Sequence, residues 1–279
     1  MNLKFLIFTL IFGLLSVHQV SASPTSPDRL IVGGETFMLY GYPLESYSIK
    51  YTSEMIFGKN RCFVWGCLQG YVATWSIEND SLFLIRIGSD CCTKKDGADE
   101  ADLTQLFGEI HRNGKVFADW VTEDLLSPRG KLLFYVHDAF MSSYEKEVEY
   151  VIKKGILQEI RYYDNSKSRE PFRPIEEFLK DTVYNRIDWA LIPELGEKKI
   201  RVIVSFSANE DGILDSVKVV RGDDEDILYQ QIALNALRGI GGFGVRFRRG
   251  KLQRQMYTFP VIFSSENREK YARTNHISK

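Results

Sequence analysis

The sequence predicts an α+β protein with two domains, a β-rich N-terminal domain and a smaller C-terminal domain that contains a helix. Three observations support this prediction. Short segments of alternating apolar and polar residues recur through the first part of the chain, separated by turn-forming dipeptides. Near the C-terminus, one segment with helical periodicity follows two such strands and precedes another. The length of 279 residues also favours two domains over one.

The N-terminal domain, residues 23–165, is predicted to be a series of antiparallel hairpins. Alternation over 71–77 and 81–87 predicts two strands joined by a turn at Asn79-Asp80. Asn113-Gly114 is the strongest hairpin signal, because Asn-Gly readily adopts the positive φ of a tight turn. This arrangement resembles that of secreted proteins of Bacteroidota, a resemblance that implies no activity. The other predicted elements are strands at 107–112, 115–120, 131–137, 146–153 and 156–162 and a short helical turn within 99–106.

The C-terminal domain, residues 166–265, is predicted to fold as strand, strand, helix and strand. Val204 and Phe206 place apolar side chains on one face of the first strand. A turn that ends at Gly212 leads to the return strand. Acidic residues at 223–226 suit the N-terminus of the helix. The predicted elements are strands at 201–207 and 213–221, a helix at 227–237, a glycine-rich loop at 239–244, a closing strand at 256–263 and a polar tail at 266–279.

Within residues 172–263, these elements carry a recognisable set of motifs. Val-Lys-Val-Val-Arg-Gly ends the second strand, Arg-Gly-Lys forms a turn, and Tyr-Thr-Phe-Pro-Val-Ile-Phe closes the domain. With these motifs the segment resembles the C-terminal domain of TonB proteins, which binds other proteins. Two family features differ: Tyr184-Asn185 stands where Tyr-Pro is usual, and Gly-Gly-Phe-Gly at 241–244 replaces Trp-x-Pro-Gly. The resemblance implies a protein-binding role and leaves the partner surface undefined.

In the TonB family, a partner peptide can add beside the exposed edge of the small sheet. Main-chain hydrogen bonds then supply affinity, and side chains set the register. Pro260 lacks an N–H group and would limit pairing beyond it. The expected partner is a protein or peptide, such as an outer-membrane receptor. On this chain the resemblance assigns the candidate edge to Arg254, Gln255, Met256, Tyr257 and Thr258.

The N-terminus predicts export across a membrane. A short positive segment that ends at Lys4 precedes an apolar run, and small residues at 20–22 precede Ser23. The apolar run of about 13 residues is shorter than the roughly 20 that a membrane span needs. We therefore expect residues 1–22 to be a removed signal peptide. The mature protein is then expected in the periplasm, with at most peripheral membrane contact.

A reduced TonB-type energy transducer for outer-membrane transport is one alternative function. Such transducers keep their N-terminal segment as a membrane anchor, carry Ser-x-x-x-His within it and have a long proline-rich spacer. Here Ser16 and His18 have a different spacing, and the eight prolines form no rich tract. These differences favour a secreted binding protein over a transducer with an uncleaved anchor.

All four cysteines fall in the N-terminal domain, and an even number in an exported chain favours disulfides. Adjacent cysteines would form a strained ring if joined to each other, so each is expected to pair with a more distant one. Reduced thiols remain an alternative. A zinc site remains another, although no Cys-x-x-Cys occurs. The disulfide candidates are Cys62, Cys67, Cys91 and Cys92.

An enzyme with a site in the N-terminal domain is the second alternative function. Candidates for acid–base chemistry are Asp119, His137 and three glutamates that share one face of a strand. A solvated polar face is the favoured interpretation of Glu145, Glu147 and Glu149. The sequence has no Gly-x-Ser-x-Gly elbow and no His-Glu-x-x-His zinc motif. We therefore predict a non-enzymatic protein with no catalytic residue, no metal and no cofactor.

The charge distribution argues against a nucleic-acid partner. The net charge is −1, which provides no long-range attraction for a polyanion. One local basic cluster lies in the C-terminal domain, and a solvated hairpin face is its favoured interpretation. Contact with lipid headgroups or lipopolysaccharide is the alternative. The cluster consists of Arg246, Arg248, Arg249, Lys251 and Arg254.

Overall fold

A computed structural model describes residues 26–48, 50–58, 66–91, 99–137, 140–171, 174–222 and 227–272. Within these residues it confirms the α+β class, because antiparallel sheets predominate and helices are few. The predicted signal peptide, residues 1–22, lies outside the described residues, as do the acidic residues 223–226.

The N-terminal half forms one sheet of nine strands. The strands are β1 Asp28–Val32, β2 Glu35–Leu39, β3 Val72–Glu78, β4 Ser81–Gly88, β5 His111–Arg112, β6 Lys115–Phe117, β7 Glu123–Phe134, β8 Ser143–Lys153 and β9 Ile156–Asp164. The main path is β2-β1-β3-β4-β9-β8-β7, with the short β5–β6 hairpin beside β4. Neighbours are antiparallel except β1 and β3. The sheet curls until its ends meet, where Tyr40 N–H donates to Leu126 O at 2.7 Å.

The two hairpins predicted from two-residue turns are present, and a third joins the strands predicted at 146–153 and 156–162. Both turn residues have positive φ in each: Asn79-Asp80, Asn113-Gly114 and Lys154-Gly155. The predicted strand at 107–112 is shorter than expected, because Phe107 is buried at the end of a helix. The predicted strand at 131–137 is the last part of the longer β7, which ends at Phe134.

Five α-helices lie in the described residues: α1 Ser53–Phe57, α2 Leu103–Phe107, α3 Ile175–Arg186, α4 Ile227–Leu237 and α5 Ser265–Ala272. The side chain of Asp102 caps α2 by accepting from Thr104 N at 2.8 Å and from Gln105 N at 3.2 Å. This confirms a helical turn near residues 99–106. α4 has the bounds that helical periodicity predicted.

The C-terminal half contains a three-stranded sheet and a separate small hairpin. Its strands are β10 Ile200–Ala208, β11 Leu214–Arg221, β12 Phe247–Arg248, β13 Lys251–Leu252 and β14 Tyr257–Phe263. The sheet has the order β11-β10-β14, and β12 pairs with β13 in a separate hairpin. Gly212 in the β10–β11 turn has φ +71°, and a Cβ there would lie 2.5 Å from Phe243 O. Glycine is therefore required at this turn.

α3 and α5 are absent from the sequence-based prediction. α5 occupies the start of the predicted polar tail, and it contributes Tyr271 to the core. The Tyr271 ring stacks on Tyr184 with centroids 5.0 Å apart, and its hydroxyl donates to Asp181 Oδ1 at 2.8 Å. These contacts fasten α5 to α3, so residues 265–272 belong to the folded unit.

The hydrophobic core falls into two clusters, one in each half. The first lies within the curled sheet and includes Trp75 and Leu84. The second lies between the three-stranded sheet and its helices and includes Phe206, Leu237 and Phe263. Burial of these apolar side chains is the main stabilising contribution in each half.

Candidate functional site

The candidate site is the outer edge of β14, because β14 is an end strand that pairs only with β10 among the described residues. Ile262 N–H does not face β10. It donates to the Tyr184 hydroxyl at 2.9 Å, on the outer side. Peptide groups alternate in direction along an antiparallel strand, so Thr258 and Pro260 also direct their backbone groups outward.

Along the outer edge of β14, some backbone N–H and C=O groups have hydrogen-bond partners among the described residues and others do not. At Ile262, Tyr184 satisfies the N–H, and Asn267 Nδ2 donates to the C=O at 2.8 Å. Pro260 has no N–H. In the described part of the chain, no hydrogen bond from outside the sheet engages the N–H and C=O of Thr258 or the C=O of Pro260. These three groups form a short array that can accept an added strand. We call residues 257–260 the β14 edge.

A groove of about 560 Å³ runs beside the β14 edge. One wall comes from β14 and the opposite wall from the start of α3. Tyr257 stacks on Phe206, with centroids 5.8 Å apart, and burial raises the pKa of the Tyr257 phenol. The groove therefore offers apolar contacts beside open main-chain groups. Its lining residues are Pro171, Pro174, Ile175, Leu179, Lys180, Phe206, Tyr257, Thr258 and Phe259.

Only part of the candidate edge lies in a strand. Tyr257 and Thr258 belong to β14, whereas residues 254–256 precede it. Arg254 binds Asp215 on β11 with two hydrogen bonds of 2.7 and 2.9 Å, and this pairing lowers the pKa of the Asp215 carboxyl. Met256 is 53% exposed next to the strand. The Arg254 side chain is thus directed across the sheet, and the open array is confined to Thr258 and Pro260 within β14.

The cysteine prediction is confirmed for one pair. Cys67 and Cys91 form a disulfide with their Cα atoms 6.1 Å apart. Cys62 and Cys92 lie outside the described residues. A disulfide is typical of proteins in oxidising compartments.

The glutamates of β8 are not a solvated face, so that interpretation is wrong for two of them. Glu147 is 1% exposed and Glu149 is 2% exposed. Glu147 Oε2 accepts from Asn165 Nδ2 at 2.9 Å and from Arg249 N at 2.6 Å. Glu149 Oε2 accepts from Tyr163 Oη at 2.8 Å. The β12–β13 hairpin of the C-terminal half covers these carboxylates.

The expected solvated face of the basic cluster is wrong for Arg246 and Arg248, which are partly buried in contacts between the two halves. Its other members, Arg249, Lys251 and Arg254, are exposed. Arg246 Nε donates to Ser143 Oγ at 2.8 Å, and Arg248 Nη2 donates to Phe140 O at 2.8 Å. Arg249 forms an ion pair of 3.3 Å with Glu149. We call residues 246–252 the basic hairpin. Its three arginines bind the N-terminal half, and Arg246 and Arg248 are thereby withdrawn from solvent.

The other acid–base candidates lie apart. His137 is exposed and shares a 3.2 Å hydrogen bond with the Tyr135 hydroxyl. Across the described residues, no hydrogen bond joins His137 or Asp119 to Glu147 or Glu149. The same residues contain no group of three His, Cys, Asp or Glu side chains suited to a metal ion.

One buried acid, Asp28, was missed by sequence reasoning. Its carboxyl is fully buried and accepts hydrogen bonds from Ala73 N and Trp75 Nε1, each at 2.9 Å. Burial raises its pKa to about 7. Asp28 is the first residue of β1, a position where an acidic side chain is usually solvated, so no local pattern predicts its burial.

None of the described helices is long and apolar enough to cross a membrane. Comparison of the chain with protein-family models, curated proteins and solved structures found no match. The resemblance to TonB C-terminal domains therefore rests on the motifs of residues 172–263 alone.

Proposed function

We propose that this protein is a non-enzymatic binding protein that captures an extended segment of a partner protein along the β14 edge. The observation that carries the proposal is the outward-facing N–H and C=O of Thr258 beside an apolar groove. A peptide strand would satisfy these groups by main-chain hydrogen bonds, and its side chains would enter the groove. The motifs shared with TonB C-terminal domains support the same mode of binding.

The proposed place of action is the periplasm, and the proposed partner is a component of outer-membrane transport. The export signal expected at residues 1–22 supports this location, and the Cys67–Cys91 disulfide is compatible with it. N-terminal sequencing of the protein from cells tests the location. A mature chain that begins at Ser23 supports a secreted binding protein, whereas a retained Met1 in the membrane fraction favours an anchored transducer.

Substitution of Thr258 by proline tests the proposed edge. Thr258 N–H points away from β10, so proline removes a partner-facing donor without removing a β10–β14 hydrogen bond. Pro260 already occupies an equivalent outward position in the same strand. We expect Thr258→Pro to reduce capture of outer-membrane proteins by about tenfold, which corresponds to one lost hydrogen bond of about 1.4 kcal/mol.

Thr258→Ala is the matched control, because it changes the side chain and keeps the N–H. Immobilised mature protein is incubated with a solubilised outer-membrane fraction, and bound proteins are identified and quantified by mass spectrometry. The natural chain and Thr258→Ala should retain the same proteins. Equal capture by a folded Thr258→Pro variant would exclude strand addition at the β14 edge.

A further inference from the structure

β9 has a neighbouring strand on only one side for much of its length. It pairs with β8 throughout, but with β4 only where Ser81 faces Ile156. Beyond Ser81, the edge of β4 is occupied by β6, which pairs with Phe83 and Leu84. Residues 158–164, which we call the β9 edge, therefore have no second neighbouring strand in the described part of the chain.

The direction of the backbone groups follows from the hydrogen bonds at the end of β9. Asn165 N–H donates to Glu145 O at 2.8 Å, on the side of β8. Directions alternate along the strand, so every second residue before Asn165 also faces β8. The residues between them direct their N–H and C=O groups to the open side, and no hydrogen bond among the described residues uses these groups. They are Ile160, Tyr162 and Asp164.

The β9 edge also exposes apolar side chains. Tyr162 is 76% exposed and Ile160 is 37% exposed. Their cross-strand partners on β8 are Val148 and Tyr150, which lie in the N-terminal core. Ile160 and Tyr162 therefore continue the core-facing side of the sheet past its last covered residues. An added strand would extend this apolar face as well as the hydrogen-bond ladder.

On the opposite face of β9, the positive charge of Arg161 is already balanced by carboxylates. Arg161 Nη1 donates to Glu149 Oε2 at 3.2 Å, and Arg161 Nη2 donates to Glu159 Oε2 at 2.8 Å. Arg161 thus has carboxylate partners within its own sheet. An incoming strand therefore needs no acidic side chain to balance the charge of Arg161. Uncharged polar side chains match this side best.

We propose that the β9 edge is a second docking surface, which binds an extended segment of a partner protein in which apolar residues alternate with uncharged polar residues. The apolar residues lie beside Ile160 and Tyr162, and the polar residues lie beside Arg161. Main-chain bonds to Ile160 and Tyr162 hold the segment. This inference is independent of the β14 edge, because the two edges belong to different sheets.

Hydrogen exchange of the mature full chain, followed by NMR, tests the proposal. The probe is a blocked peptide of about seven residues that alternates threonine and valine. In the free protein, the amides of Ile160 and Tyr162 should exchange faster than that of Arg161. Excess peptide should slow exchange at Ile160 and Tyr162 by about tenfold or more and leave Arg161 unchanged.

Two variants of Tyr162 separate backbone pairing from side-chain contact. Tyr162→Pro removes an outward N–H and should abolish the peptide effect at Ile160, whereas Tyr162→Thr retains the N–H and should keep most of it. Unchanged exchange at Ile160 with peptide would overturn the proposal. Protection that appears without peptide and grows with protein concentration would also overturn it, since a second copy would then occupy the edge. Protection confined to Thr258 would overturn it and support the β14 edge instead.

Discussion

At the scale of single residues, Asp28 illustrates how burial outweighs hydrogen bonding. Two donors hold its carboxylate, yet desolvation raises the pKa from 3.8 to about 7. Burial is the main cause that raises the pKa of the Tyr42 and Tyr71 phenols, and the negative charge of Asp28 raises both further. The folded protein therefore favours a protonated Asp28 where an unfolded chain would ionise it.

We expect folding stability to fall as pH rises from about 4 to about 7. Between the unfolded pKa of 3.8 and the folded pKa of about 7, the folded state binds a proton that the unfolded state has lost. Ionisation of Asp28 thus lowers the free energy of unfolding by on the order of 4 kcal/mol between these two pKa values. Urea unfolding at each pH, followed by tryptophan fluorescence, measures the change.

Asp28→Asn is the control for this prediction. Asparagine has a similar size and cannot ionise, so the pH dependence over this range should flatten. Both oxygens of the neutral carboxyl can accept, but the amide nitrogen of asparagine cannot, so one donor from Ala73 or Trp75 loses its bond. The variant should therefore be less stable at pH 5. An unchanged pH slope in Asp28→Asn would assign the effect to another group.

At the scale of elements, β8 shows what local sequence can and cannot predict. Alternation along the strand correctly placed Glu145, Glu147 and Glu149 on one face. The burial of that face depends on a hairpin about 100 residues later, since Glu147 accepts from Arg249 across a separation of 102 residues. No feature of β8 itself carries this information.

We expect the glutamates of β8 to differ sharply in their effect on stability. Glu147→Ala leaves Asn165 Nδ2 and Arg249 N–H without their shared acceptor, so it should lower the free energy of unfolding by about 2 to 4 kcal/mol. Glu145 makes a longer bond of 3.4 Å to Lys131 N, so Glu145→Ala should cost less than about 1 kcal/mol. Chemical unfolding compares the variants. Equal losses of stability in the two variants would mean that the hydrogen bonds of Glu147 to Asn165 and Arg249 add no stability beyond that of Glu145.

The remaining elements show the same division between local and distant causes. The turns at Asn79-Asp80 and Asn113-Gly114 follow from residues that tolerate positive φ, so the sequence predicts them directly. α5 has only Tyr271 buried and therefore no apolar stripe to reveal it. At Ile262, by contrast, the outer edge of β14 is satisfied by Tyr184 and Asn267, whose positions depend on the assembled helices.

At the scale of the whole molecule, the basic hairpin joins two halves that have separate hydrophobic clusters. Arg246 and Arg248 bind backbone and hydroxyl oxygens of residues 140–143. Gly250 N donates to Asn165 Oδ1 at 2.9 Å. Because each half has its own hydrophobic cluster, each half could unfold without the other. The hydrogen bonds of the basic hairpin link the unfolding of one half to that of the other.

We expect the natural protein to unfold in one calorimetric transition and a variant without the three arginines to unfold in two. Hydrogen bonds to charged groups contribute about 1.5 to 3 kcal/mol each, so their combined loss removes several kcal/mol of coupling. The variant combines Arg246→Ala, Arg248→Ala and Arg249→Ala. Lys251→Ala is the control, because Lys251 is an exposed residue of the same hairpin. A single transition in the folded triple variant would show that other contacts couple the halves.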